Sequence, residues 1–150
     1  MAGSNAITIK RALIDYLGRA PRLQGVQIAY AFPGRTLARE CIYAGGVRCE
    51  QQLVPIDRPT VRRPRAETAT LTLVIQVRIP GGTLAETDAR ADELLTVIDE
   101  LFADDVTLGG TVGSLAYGGV TAGELTYAPD DDAAVSRLTI TVVFHSMYIL

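Results

Sequence analysis

His145 is the only histidine in the chain and stands beside Ser146, a juxtaposition that invites a hydrolase reading. A serine nucleophile needs its base within hydrogen-bond reach. Both residues fall in one alternating segment, and neighbours on a strand point to opposite faces, so they do not pair directly. No G-x-S-x-G elbow is present. Asp130-Asp131-Asp132 could hold a hard cation but lacks the spaced ligands and terminal Glu of a calcium loop, and reads as a solvated turn. A histidine-based zinc site would need Cys41 or Cys49 brought to His145 from elsewhere. Lys10 is the only lysine and no G-x-x-x-x-G-K-[ST] surrounds it. The glycine pairs at 45–46, 81–82, 109–110 and 118–119 never match G-x-G-x-x-G and read as bends and turns. Scattered acids could still converge as catalytic carboxylates, but no spacing selects a pair. The expectation is a protein with no catalytic, cofactor-binding or metal residues, and not an enzyme.

The arginines offer different chemistry. Arg58, Arg62, Arg63 and Arg65 lie in a segment with Pro59 and Pro64. The prolines keep it out of helices and central strands, and the arginines keep it out of a core, so an exposed extended loop is expected. Guanidinium groups bind phosphate well, but no aromatic residue stands among them for base stacking, and the chain is acidic at −3. Sequence-specific nucleic-acid binding is therefore not expected. The small net charge hides an asymmetry. Residues 1–80 carry twelve basic residues against five acids (+7), and residues 81–150 carry two against twelve (−10). Either the halves neutralise each other within one fold, or opposite faces carry opposite sign and favour head-to-tail association.

A chain of 150 residues, 48 % hydrophobic and 21 % charged, suits one globular domain over 1–150. No apolar run approaches the ~18 residues that span a bilayer, and no signal peptide is visible, so synthesis in the cytoplasm without membrane attachment is expected. Cys41 and Cys49 would lie about 26 Å apart on one strand at ~3.3 Å per residue, so two reduced thiols are expected.

These residues need elements to hold them. Ile9, Ala12, Leu13, Tyr16 and Leu17 recur at helical spacing and predict a helix over 5–18. A short strand over 26–32 and a second within 41–54, broken or bulged at Gly45-Gly46, follow. Ala69, Leu71, Leu73, Ile75, Val77 and Ile79 alternate with Thr68, Thr70, Thr72, Gln76 and Arg78, the pattern of a sheet with one buried face. Thr83-Leu84-Ala85-Glu86 is a capping box opening a helix with Ala91, Leu94, Leu95, Ile98, Leu101 and Phe102 on its core face. Its acids continue into the last turn, where they oppose the helix dipole and suggest an outside partner. Gly118-Gly119 reads as a hairpin turn between strands at 111–117 and 120–127. Leu138, Ile140, Val142 and Phe144 form one face of a last strand. The order α-β-β-β-α-β-β-β implies an α+β single domain, two α-helices packed on one face of a mainly antiparallel β-sheet.

This succession resembles the tail terminator, or tail completion, proteins of long-tailed bacteriophages. The likeness rests on the helix at 9–17, the alternating strand at 69–79 and the acidic helix at 85–103. Its exit, Asp105-Val106-Thr107-Leu108-Gly109-Gly110, and the strand at 138–144 complete it. The arginine-rich loop and the long stretch between Gly110 and Asp130 depart from a minimal member. The resemblance implies a homo-oligomeric ring, usually a hexamer, at the head–tail junction of the virion, assembled in the host cytoplasm. Such a ring ends tail-tube polymerisation and presents a surface to the head-completion or connector protein. DNA would pass through it without specific binding, and no cofactor is implied. Candidate subunit or partner contacts are Arg58, Arg62, Arg63 and Arg65, and Asp92, Glu93, Asp99 and Glu100 of the acidic helix. Alternatives are another neck component, such as a head-closure or minor tail protein, and a small-molecule-binding or enzymatic α+β domain.

Overall fold

The computed structural model describes residues 6–53, 64–105, 108 and 116–149. Their elements run α1 (Ala6–Arg19), β1 (Gln27–Ala29), β2 (Glu40–Leu53), β3 (Pro64–Pro80), α2 (Leu84–Asp104), β4 (Ala116–Tyr127) and β5 (Ala133–Ile149). The five strands form one sheet in the order β1-β2-β3-β5-β4. Only β1 and β2 are parallel, and the other pairs are antiparallel. This is the α+β fold expected from the pattern.

Both helices lie on one side of the sheet because all the long apolar stripes face that way. Ile9, Leu13 and Leu17 of α1 and Leu94, Ile98 and Phe102 of α2 share one core with Ile42, Leu71, Leu73, Ile75, Ile140, Val142 and Phe144. Leu95 and Leu101 are only half-buried at its margin. Burying one such side chain fully contributes roughly 1.5–3 kcal/mol. The Thr83 hydroxyl caps α2 by accepting from the Glu86 N–H at 3.3 Å. At the other end the Leu101 carbonyl accepts from the Asp105 N–H at 3.2 Å and also from the Tyr16 hydroxyl at 3.0 Å, which ties α1 to the end of α2. Leu108, just beyond, is buried at φ +54°, a conformation L-residues seldom adopt, and its place in the core offsets that strain.

Two expectations require correction. The strand expected over 26–32 is confined to Gln27–Ala29, and the chain leaves the sheet edge before Tyr30. Gly118-Gly119 is not a hairpin turn. It lies inside β4, which pairs with β5 from Ala116 to Tyr127 and shifts register at Tyr117/Gly119 and Val120/Ala122. Those bulges explain the poor alternation of this segment, since each reverses which face the next residues meet. Glycine is needed there: a Cβ on Gly118 would sit 3.0 Å from His145 Nε2, and Gly119 has φ +94°. The described part after α2 therefore holds two strands where three were expected. Residues 109–115 lie outside the described residues.

Cys41 and Cys49 share no disulfide, and the bulge between Ala44 and Val47 puts them on opposite faces. Cys49 pairs across the core face with Ala69, whereas Cys41 packs behind the sheet with Tyr43 and Val74. Burial pushes the Cys41 thiol up to about 11 from its ordinary 9.0. The native state then keeps a proton that the unfolded chain releases, so this contribution to stability is complete below about pH 9 and lost as pH rises toward 11. Native Cys41 is expected to resist alkylation at about pH 8. Cys41→Ala should flatten the alkaline limb of a stability-versus-pH curve, and rapid alkylation of the native thiol would contradict its burial.

Candidate functional site

Since α1 and α2 cover one face, no α-helix among the described residues lies on the opposite face of the sheet. Its centre is a threonine field built by register: Thr72 stands beside Thr141, Val74 beside Thr139, Thr70 beside Val143 and Thr68 beside His145. All but Val74 are partly or fully exposed. Short β-branched side chains give this face a flat surface with hydroxyl donors and acceptors, suited to contact with another protein surface. At the β1 end it is closed by Phe32 against Tyr43, rings 5.4 Å apart, with Leu37 beside them.

His145 lies on this open face, its Nδ1 3.2 Å from Thr68 Oγ1. Ser146 lies buried on the other face, opposite Glu67. The two are thus separated by the sheet, as strand geometry requires. Gln51, Glu67 and Ser146 form a cross-strand polar row at the end of the core face, where Gln51 Nε2 donates to Glu67 Oε2 at 2.7 Å. Asp130 of the acidic turn is a structural group. It pairs with Arg78 at 3.0 Å and accepts from the Asp132 N–H at 2.9 Å, and the Arg78 bond leads the effects that lower its pKa.

Of the seven acids of α2, the four expected to meet a partner, Asp92, Glu93, Asp99 and Glu100, all sit on its exposed side, and three have partners within the chain. Glu93 pairs with Arg90 at 3.0 Å, and Arg90 also grips Glu40 of β2 at 2.6 and 3.1 Å. Asp99 accepts from the Tyr117 hydroxyl at 2.7 Å, and Glu100 pairs with Arg22 at 2.7 Å. Burial, then the bond to Asp99, raises the Tyr117 pKa. Asp92 projects from the same side, its carbonyl accepting from Thr96 Oγ1. The late acids that local helix electrostatics left unexplained thus tie α2 to β4 and to the segment after α1. Of the arginine group, Arg58, Arg62 and Arg63 lie outside the described residues. Arg65, expected in the exposed loop, instead belongs to β3, opposite Leu53 and Tyr148, because Pro64 is the first residue of that strand, where a missing N–H is tolerated.

The sequence reading missed a second polar constellation. The Ser136 hydroxyl, fully buried, donates to Asp88 Oδ1 at 2.5 Å and lies 2.6 Å from the Thr87 hydroxyl. The Tyr127 hydroxyl donates to Asp88 Oδ2 at 2.9 Å. Asp88 reads in the sequence as one more solvated helix acid, and only the packing of α2 over β5 and β4 reveals its task. Among the described residues no three of His, Cys, Asp and Glu gather as metal ligands, and no helix is long and apolar enough to cross a membrane.

No protein-family model matches the chain, and no curated protein matches it in sequence.

Proposed function

We propose that this chain is a structural virion protein that forms a ring on the end of a phage tail tube, stops its polymerisation and offers the joining surface to the head connector. The observation that carries the reading is the threonine-rich face, partly exposed and without a helix over it among the described residues, while α1 and α2 complete the core on the other side. The order of helices and strands along the chain, which resembles the tail terminators, supplies the rest. In this role the protein partners itself, the tail-tube protein and the head-completion protein. DNA crosses the ring without being gripped, and the exposed acids of α2, with Asp92 foremost, suit a surface that repels phosphate.

The reading is tested by adding the purified chain to polymerising tube protein of the same phage. Tubes are expected to stop short, with a length distribution that narrows as the protein is added. Unchanged growth together with binding to the connector would move the chain to another neck position. Unchanged growth without binding to either would overturn the reading.

A further inference from the structure

Six large apolar side chains are exposed among the described residues, and they form two groups of three. Ile7, Tyr30 and Phe32, 61, 44 and 58 % exposed, belong to α1 and to the segment that leaves β1, with Phe32 against Tyr43. Lys10 lies 4.0 Å over the Tyr30 ring, and Ile7 is one helical turn before Lys10 on the same side of α1. Leu84, Leu125 and Tyr127, 44, 43 and 51 % exposed, gather beside β4. Leu125 and Tyr127 share one face of that strand, and Leu84 borders the same depression as Tyr127. β1 and β4 are the two edges of the sheet, four strand spacings or about 19 Å apart.

Charge divides in the same way. Residues 6–39, leading up to and around β1, hold six basic residues and one acid, and residues 116–132, covering β4 and the turn after it, hold four acids and no base. Arg22 and Asp130 are taken by Glu100 and Arg78. Arg11, Arg35 and Arg39 on one side, and Glu124, Asp131 and Asp132 on the other, are exposed and enter no ion pair among the described residues.

We infer that the β1 edge of one copy docks on the β4 edge of a second copy of this chain. The inference rests on the ring reading above and names the surfaces that would close the ring. Each edge offers an apolar centre with a charged rim, and the rims have opposite sign, which sets both affinity and orientation. The contact is heterologous, since each copy offers both surfaces, and such contacts build rings when the rotation closes. The two bulges interrupt the β4 ladder, which discourages strand-to-strand pairing at this edge and leaves its side chains to make the contact.

Charge exchange tests this on the full chain. Glu124→Lys/Asp131→Lys/Asp132→Lys makes both edges basic, and Arg11→Glu/Arg35→Glu/Arg39→Glu makes both acidic. Each variant alone is expected to self-associate about tenfold more weakly than the wild type by sedimentation velocity, while circular dichroism stays unchanged. Mixed in equal amounts they should associate again, because each edge of one then meets an opposite edge of the other. Normal rings from either variant alone, or no recovery on mixing, would overturn the inference and leave the ring reading standing. A wild-type chain that stays monomeric with and without tail tubes would overturn both.

Discussion

Phe102→Ala is expected to destabilise the fold by about 3–5 kcal/mol. Phe102 is fully buried where α2 meets both ends of the chain. Its ring stacks on Tyr16 at 6.5 Å and meets Tyr117 and Phe144 edge-on at 5.4 Å each. One truncation therefore leaves a cavity and breaks three aromatic contacts, linking α1, β4 and β5. It also loosens Tyr117, whose hydroxyl reaches Asp99 on the same helix. Urea denaturation measures the effect. Leu95→Ala, at the half-buried margin of the same helix, should cost clearly less. Equal losses at the two positions would contradict the placement of α2 on the sheet.

Asp88→Ala is expected to cost about 1.5–3 kcal/mol, because it removes the charged acceptor of a fully buried serine hydroxyl. Ser136 would keep only its contact with Thr87, which itself reaches the Leu84 carbonyl at 3.1 Å. A double-mutant cycle with Ser136→Ala should reveal a coupling of about 0.5–3 kcal/mol, as for residues sharing one network. Optical titration supplies an independent reading. The bond to Asp88 is the main cause of the raised Tyr127 pKa, so in the variant this phenol should ionise at lower pH. An unmoved titration would mean that Tyr127 does not donate to Asp88 in solution.

The strongest periodicities carried most of the fold. The alternation at Ala69–Val77 and Leu138–Phe144 identified β3 and β5, two of the three inner strands of the sheet. The stripes of α1 and α2 placed both helices, because burial on one face is written directly into residue spacing. At Gly45-Gly46 the glycine pair pointed to a break or a bulge, and the structure has the bulge, between Ala44 and Val47. β4 was not, since two bulges scramble its period and make a glycine pair look like a turn. Contacts at long sequence separation were also hidden. Nothing local in the sequence joins Arg90 to Glu40, Asp99 to Tyr117 or Asp88 to Ser136, each pair meeting only once the helix lies on the sheet. The charge division between halves was visible, but its assignment to the two sheet edges needed the strand order.

As proposed above, copies of this chain close into a ring on a tail-tube end. Electron imaging of the purified protein with tail tubes tests it most directly. A ring of identical subunits with rotational symmetry, seated at one end of each tube, is the expected image. Tubes with bare ends beside a strictly monomeric protein would contradict it.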